Sequence, residues 1–186
     1  GLCKRLDEAL GRLLDALKSL DLADNTIVAF SSDHGCHFKT RNAEYKRSCH
    51  DSSIRVPLAL CGPGFDGGGQ LRQLVSLVDL PPTLLDAAGL AAPAEMQGRS
   101  FRAGLEGHTP RDWRKAMYYR YWMHNTNDHH VPAHYGVRND RWKLIYYYGK
   151  PLGMKGANPP DTAPDWELFD VRNDPREMRN LYHDSK

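Results

Sequence analysis

Leucines at positions 6, 10, 13, 17 and 20 recur in steps of three and four, which puts them on one stripe of a helix spanning residues 3–20. Asp7, Glu8, Arg12, Asp15 and Lys18 take the remaining faces, so the stripe is expected to pack on a core. A polar stretch at 21–25 ends it. Residues 26–31 (TIVAFS) form a short apolar run of β-favouring residues without polar alternation, the pattern of a strand covered on both faces as in a parallel sheet. This run leads directly into Ser32-Asp33-His34-Gly35. Polar residues at the C-terminal end of a buried strand mark the place where α/β folds bind ligands. Residues 36–53 are polar and basic with no clean period, which predicts a long loop, and loops of that length are usually functional or disordered. Residues 55–61 (RVPLALC) read as a second buried strand beside the first in one sheet, with Asp33 and His34 at the sheet's C-terminal edge. Glycines and Pro63 over 62–69 end that strand.

Residues 71–78 suit a short strand or a helix entry. Asp79 is placed to cap a helix with Pro81 and Pro82 in its first turn, running to about residue 88 and stopped by Gly89. Residues 91–112 are irregular, with a short helical turn around 101–105. The last third changes character. Residues 116–123, 135–137, 142–148 and 166–171 are aromatic, β-favouring runs separated by turn residues, and Asn139-Asp140 links two of them as a hairpin. The fold class expected is α/β: a mixed sheet flanked by helices over residues 1–113, and a small antiparallel-sheet subdomain over 114–186.

With 186 residues, the chain holds one ordinary domain or a compact piece plus a small second unit. Hydrophobic residues make up 40% and charged residues 26%, and no apolar run approaches the roughly 20 residues of a membrane-spanning helix. A net charge of +2 names no polyanionic partner, so neither nucleic acid nor membrane is expected. The four cysteines are too few for a disulfide scaffold, although Cys36 and Cys49 flank the basic loop and are a candidate pair in an oxidising compartment. The chain opens in a helical pattern without a methionine and reads as a piece of a longer one.

Three places carry residues suited to chemistry. Asp33 offers a hard oxygen and His34 a nitrogen, which together suit a divalent metal, with Gly35 allowing a sharp turn; the same residues suit a solvated turn. Lys39, Arg41, Lys46 and Arg47, followed by His50 and Asp51, form a basic loop that could hold sulfate or phosphate, or simply be a solvated face. His129, His130 and His134 could bind a metal or contact an anion, or be incidental in a polar loop. No Gly-x-Ser-x-Gly elbow and no phosphate-cradling glycine loop is present. The residues thus supply metal and anion ligands without an evident nucleophile.

The stretch TIVAFSSDHG at 26–35 resembles the sulfatase family of the alkaline-phosphatase-like superfamily. Further resemblances follow in order. Lys46 lies seven residues before Ser53 in SIRVPL, the family's spacing for its active-site lysine, and Gly62-Pro63-Gly64 comes after it. VDLPPTLL at 78–85 is similar to the family's V-D-L-x-P-T helix, and GRSF at 98–101 to its G-x-S-F/L turn. VRNDRWKL at 137–144 resembles its hairpin, and ELFD at 167–170 with Asp174-Pro175, Glu177 and Asn180-Leu181 resembles its closing segment.

The resemblance implies hydrolysis of sulfate esters by a formylglycine, made from the Cys or Ser of a C/S-x-P-x-R motif, beside a divalent cation that is usually Ca²⁺. It places Asp33 and His34 at two metal-ligand positions and Lys46 at the lysine that binds the sulfate and assists the leaving oxygen. Arg41, Asn42, Arg47, His50 and His134 lie near these matches and are expected around the substrate, a sulfated small molecule or sulfated carbohydrate. The C/S-x-P-x-R motif is absent; Cys61-Gly62-Pro63-Gly64-Phe65 begins like it but has Phe in place of Arg. The chain is therefore expected to be the C-terminal portion of a sulfatase, inactive alone and partnered by the N-terminal part of the same enzyme. Family habit implies a periplasmic or secreted location. The alternatives are a superfamily phosphoesterase or phosphonate hydrolase, and a non-catalytic module that binds sulfated ligands.

Overall fold

The computed structural model describes residues 1–65 and 67–184. The chain divides into two compact units. The first comprises Gly1–Ser31, Pro57–Gln73 and Leu77–Pro110, and the second Ser32–Val56, Leu74–Ser76 and Arg111–Lys186.

In the first unit, helix α1 (Leu2–Ser19) ends with Lys18 in its last turn, where a cation complements the helix dipole. Leu10, Leu14 and Leu17 are half-buried while Leu6, Leu13 and Leu20 stay exposed, so the predicted stripe forms but packs on no core among the described residues. Strands β1 (Val28–Ser31) and β2 (Leu58–Cys61) do pair as neighbours, but antiparallel, with Val28 opposite Cys61 and Ser31 opposite Leu58. The parallel arrangement suggested by their apolar runs is thus corrected, because a short apolar run carries no information about strand direction. Their burial also alternates, with Val28, Phe30, Leu58 and Leu60 half-covered and Ala29, Ala59 and Cys61 exposed.

Helix α3 (Leu80–Ala87) has its prolines in the first turn as predicted. Asp79 occupies the N-cap position without capping the helix through its side chain; instead its Oδ1 accepts the Arg99 N–H at 2.9 Å. Buried Thr83 donates to the Asp79 carbonyl at 2.6 Å and accepts the Phe101 N–H at 3.1 Å. A Cβ on Gly98 would lie 1.7 Å from the Val78 carbonyl oxygen. The GRSF segment is therefore stitched through its backbone N–H groups to the Asp79 and Thr83 side chains at the start of α3, and leads into the short helix α4 (Arg102–Leu105).

The second unit is built on a four-stranded antiparallel sheet in the order β3 (Met117–Tyr121), β4 (His134–Arg138), β5 (Trp142–Tyr147) and β6 (Asp165–Asp170). All four strands fall on the predicted aromatic runs. The β4–β5 turn is held by Asn139, whose Oδ1 accepts the N–H groups of Arg141 and Trp142 at 2.8 and 2.6 Å. The register puts His134 opposite Tyr147, Gly136 opposite Ile145, and Lys143 opposite Phe169, and these residues share the covered face. Cys49, Ile145, Phe169 and Val171 form the core, with Ile54 from the short helix α2 (Asp51–Ile54) packed against it. Segment 32–56 thus belongs with the C-terminal sheet, although sequence order runs it between β1 and β2. The reason is steric: Gly136 has no side chain, and a Cβ there would lie 2.6 Å from the Cys49 sulfur that fills the space. Cys36 and Cys49 are both free thiols, so the candidate pair is not joined, and burial pushes the Cys49 thiol up to about 12. Among the described residues no helix is long and apolar enough to cross a membrane.

Candidate active site

Asp33 follows the last residue of β1 by two positions and lies at a bend, and the backbone then passes close to α2 at Gly35. The Gly35 N–H donates to the Ser53 carbonyl at 2.7 Å, and a Cβ on Gly35 would lie 2.2 Å from the Ser52 carbonyl oxygen. Only glycine permits this approach, and it brings the Asp33-His34 turn against α2.

The His34 imidazole donates its Nδ1–H to the Gly35 carbonyl at 2.8 Å, which leaves the lone pair on Nε2. Nε2 accepts from the Lys46 ammonium at 2.6 Å and stands 3.6 Å from Asp33 Oδ2. A carboxylate oxygen, an imidazole lone pair and an ammonium therefore meet at one exposed point. Two donor atoms 3.6 Å apart can both reach one cation at ordinary ligand distances of roughly 2.0–2.6 Å, so this pair fits two adjacent positions of a divalent metal site. Among the described residues no three of His, Cys, Asp and Glu are grouped to hold a metal ion; Asp33 and His34 are a pair that could supply two ligands.

Lys46 sits in a closely bonded loop. Its carbonyl accepts from buried His37 Nε2 at 3.0 Å and from Asn42 Nδ2 at 3.4 Å. Asn42 also donates to the Arg47 carbonyl at 3.3 Å and accepts the Glu44 N–H at 2.8 Å. Phe38, Lys39 and Arg47 take left-handed φ angles of 51°, 62° and 67°, and buried Ser48 bonds to Ser53 at 2.8 Å. Non-glycine residues in that region cost free energy that surrounding bonds must offset.

The remaining substrate candidates are engaged by other partners within the protein. Arg41 directs its guanidinium to the carbonyls of Glu177 at 2.7 Å and Arg176 at 2.5 Å. Asn42 holds the loop as described. Arg47 stands 3.7 Å from Glu44, and Glu44 in turn lies 3.2 Å from His129. His50 is 2% exposed, edge-on to Phe169, with its Nε2 3.4 Å from Glu167. Burial, then the charges of Arg41 and Lys143, lower its pKa to about 3, so this contact involves a neutral ring and is not an ion pair. His134 is fully buried among Tyr119, Tyr121 and Tyr147, and burial lowers it to about 4. His129 and His134 therefore occupy different surroundings, and the histidine run forms no single ligand group.

A buried charge cluster joins Asp51, at the end of the basic loop, to residues that no sequence feature had singled out as chemistry. Lys143 is fully buried and donates to Asp51 Oδ1 at 2.6 Å and to Glu177. Arg138 Nε reaches the same Asp51 oxygen at 3.1 Å. The cationic partners hold the Asp51 carboxyl below its usual range although burial acts the other way. Lys143 and Glu177 were visible only as letters of the resembled motifs; 92 residues separate Asp51 from Lys143, and no local pattern pairs them.

The structural neighbours of this chain include sulfatases of the alkaline-phosphatase-like fold. Residues 43–186 match the family described as N-sulphoglucosamine sulphohydrolase, C-terminal. The chain is 37% identical over 180 residues to an N-acetylglucosamine-6-O-sulfatase of Bacteroides thetaiotaomicron, covering 95% of this chain and 30% of that protein. It is 35% identical over 185 residues to arylsulfatase K of Homo sapiens, covering 97% and 32% respectively. A solved structure described as a complex with its substrate D-glucosamine-2-N,6-O-disulfate matches with a TM-score of 0.74 at 36% identity, over 96% of this chain and 34% of that one. The chain belongs to the sulfatase family, as a C-terminal portion of the N-sulphoglucosamine sulphohydrolase type. It spans about a third of the length of the curated relatives it matches.

Proposed function

We propose that this chain supplies the C-terminal share of the active site of a sulfatase that hydrolyses sulfate esters on a sulfated sugar. The observation that carries the reading is the convergence of Asp33, His34 Nε2 and Lys46 Nζ at one exposed point. Asp33 and His34 would hold the divalent cation, Ca²⁺ by family habit, whose charge when bound stabilises the oxygens of the sulfate. Lys46 donates N–H to a sulfate oxygen and assists the leaving oxygen as the ester S–O bond breaks. His34 Nε2 has one lone pair, so a histidine ligating the cation releases the Lys46 ammonium for this role. The Nδ1–H bond to Gly35 keeps that lone pair on Nε2 throughout.

The attacking group in this family is a formylglycine, and these 186 residues contain no C/S-x-P-x-R segment to form it. The chain alone is therefore expected to show no turnover. The sugar reading is supported by the relatives: one is named for 6-O-sulfated N-acetylglucosamine, and a structural neighbour holds a sulfated glucosamine.

The test is steady-state hydrolysis of an aryl sulfate and of glucosamine-6-O-sulfate by the full-length protein that carries this segment, with an aryl phosphonate as a comparison. Lys46→Ala should lower kcat by on the order of 100- to 1000-fold, the usual cost of removing one group that stabilises developing charge. Its melting temperature should hardly move, because the side chain is not in a core. Lys46→Arg should not rescue the rate, since a planar guanidinium does not replace a compact ammonium. Near-parent turnover in Lys46→Ala would refute the role of Lys46, and preference for the phosphonate would refute the sulfatase reading.

A further inference from the structure

We infer that Glu177, in the turn Arg176-Glu177, is a positioning residue for Lys46; the inference rests on the proposed role of Lys46. The loop that carries Lys46 is gripped twice by this turn. Five residues before Lys46, the Arg41 guanidinium donates to the carbonyls of Arg176 and Glu177 at 2.5 and 2.7 Å. Five residues after it, the Asp51 N–H donates to Glu177 Oε2 at 2.8 Å. His50, at the N-cap position of α2, supplies no side-chain cap, so Glu177 takes over that function from 126 residues away. Its other carboxylate oxygen meets the buried Lys143 ammonium, which also holds the Asp51 side chain.

The turn is itself fixed to the sheet. Asp174 Oδ2 accepts the N–H groups of Met178 and Arg179 at 2.7 and 2.9 Å. The Asn180 side-chain amide accepts the Leu168 N–H at its Oδ1 and donates from its Nδ2 to the Trp166 carbonyl, both at 3.0 Å, which ties this segment to β6. Glu177 is 2% exposed and adopts a left-handed φ of 54°, which aims its carboxylate inward at the cost of backbone strain. A side chain buried this deeply and strained, with one oxygen on the N–H at the base of the loop and the other against the β5 ammonium that also grips Asp51, is arranged to fix that loop. What the loop presents is the ammonium, so the position of Lys46 relative to His34 depends on a residue that does not touch the site.

A double-mutant cycle in the full-length protein tests this. Glu177→Ala should lower kcat on an aryl sulfate about tenfold, at a temperature where melting shows the variant fully folded. In a Lys46→Ala background the same change should cost no further rate, while its effect on the melting temperature should persist. Glu177→Gln, which keeps an oxygen to accept the Asp51 N–H, should lie between the parent and Glu177→Ala, and it carries the cycle if the alanine variant does not fold. Equal fold-losses in the two backgrounds would mean that Glu177 serves only stability, and would overturn the inference while leaving Lys46 its role. Full turnover in Lys46→Ala alone would overturn that role and this inference together.

Discussion

His50 and His134 are neutral imidazoles in a dry interior, and that has a consequence in acid. Burial, and for His50 the nearby cations, lower their pKa values to about 3 and about 4, against 6.5 for a free histidine. Below pH 6.5 the unfolded chain takes up protons that the folded chain refuses, so stability is lost as pH falls from 6.5 towards 4. Glu167 acts in the opposite sense, because burial raises its carboxyl and the folded state binds that proton first. Asp51, held low by Lys143 and Arg138, adds its loss only below the ordinary carboxylate range. The melting temperature should therefore drop by several degrees between pH 6.5 and 4.5, where the histidines dominate. His134→Phe keeps an aromatic ring in the tyrosine stack and removes one of the titrating groups. Its pH slope should be shallower than the parent's even though the Nδ1 bond to the Pro132 carbonyl is lost. Melts at 0.5 pH intervals for both proteins decide it.

Among the elements, short segments depend on glycine for their placement. Gly35→Ala puts a methyl 2.2 Å from the Ser52 carbonyl oxygen and forces the Asp33-His34 turn away from α2. Turnover in the full-length protein should fall at least tenfold, with weakened Ca²⁺ binding by calorimetry, because a displacement of about 1 Å is costly at a catalytic site. Gly136→Ala acts on β4 instead, where the new methyl meets the Cys49 sulfur at 2.6 Å. It should destabilise by about 1–3 kcal/mol, as overpacking does. Cys49→Ala removes that sulfur, so the double variant should recover much of the loss; denaturant titrations of the two single variants and the double variant measure the coupling.

Across the second unit, three stretches far apart in sequence share one buried cluster: Asp51 on α2, Lys143 on β5 and Glu177 in the closing segment. Lys143→Met removes the central cation and leaves the buried Glu177 carboxylate without its cation, while Asp51 keeps only its pair with Arg138 and the more distant Arg55. The expected cost is about 3–5 kcal/mol by chemical denaturation, the range for breaking a buried charge pair. Much was readable from the sequence because it is local. Period-3.6 leucines predicted α1, prolines after Asp79 predicted α3, and aromatic runs with Asn139-Asp140 predicted the four-stranded sheet nearly strand for strand. Metal-type donors at Asp33 and His34 and a lysine at Lys46 were likewise visible as residue types in recognisable order. The direction of β2 against β1 was not visible, because apolarity does not encode direction. Nor was the fate of the charged residues around Lys46, since a guanidinium reads the same whether it meets a ligand or, like Arg41, a pair of backbone carbonyls 135 and 136 residues away. Residue type and local order thus determined the elements and the donor set. Only the tertiary structure decided which donors meet, because hydrogen bonds and burial at long sequence separation fix positions to within an ångström, and nearest-neighbour pattern carries no such information.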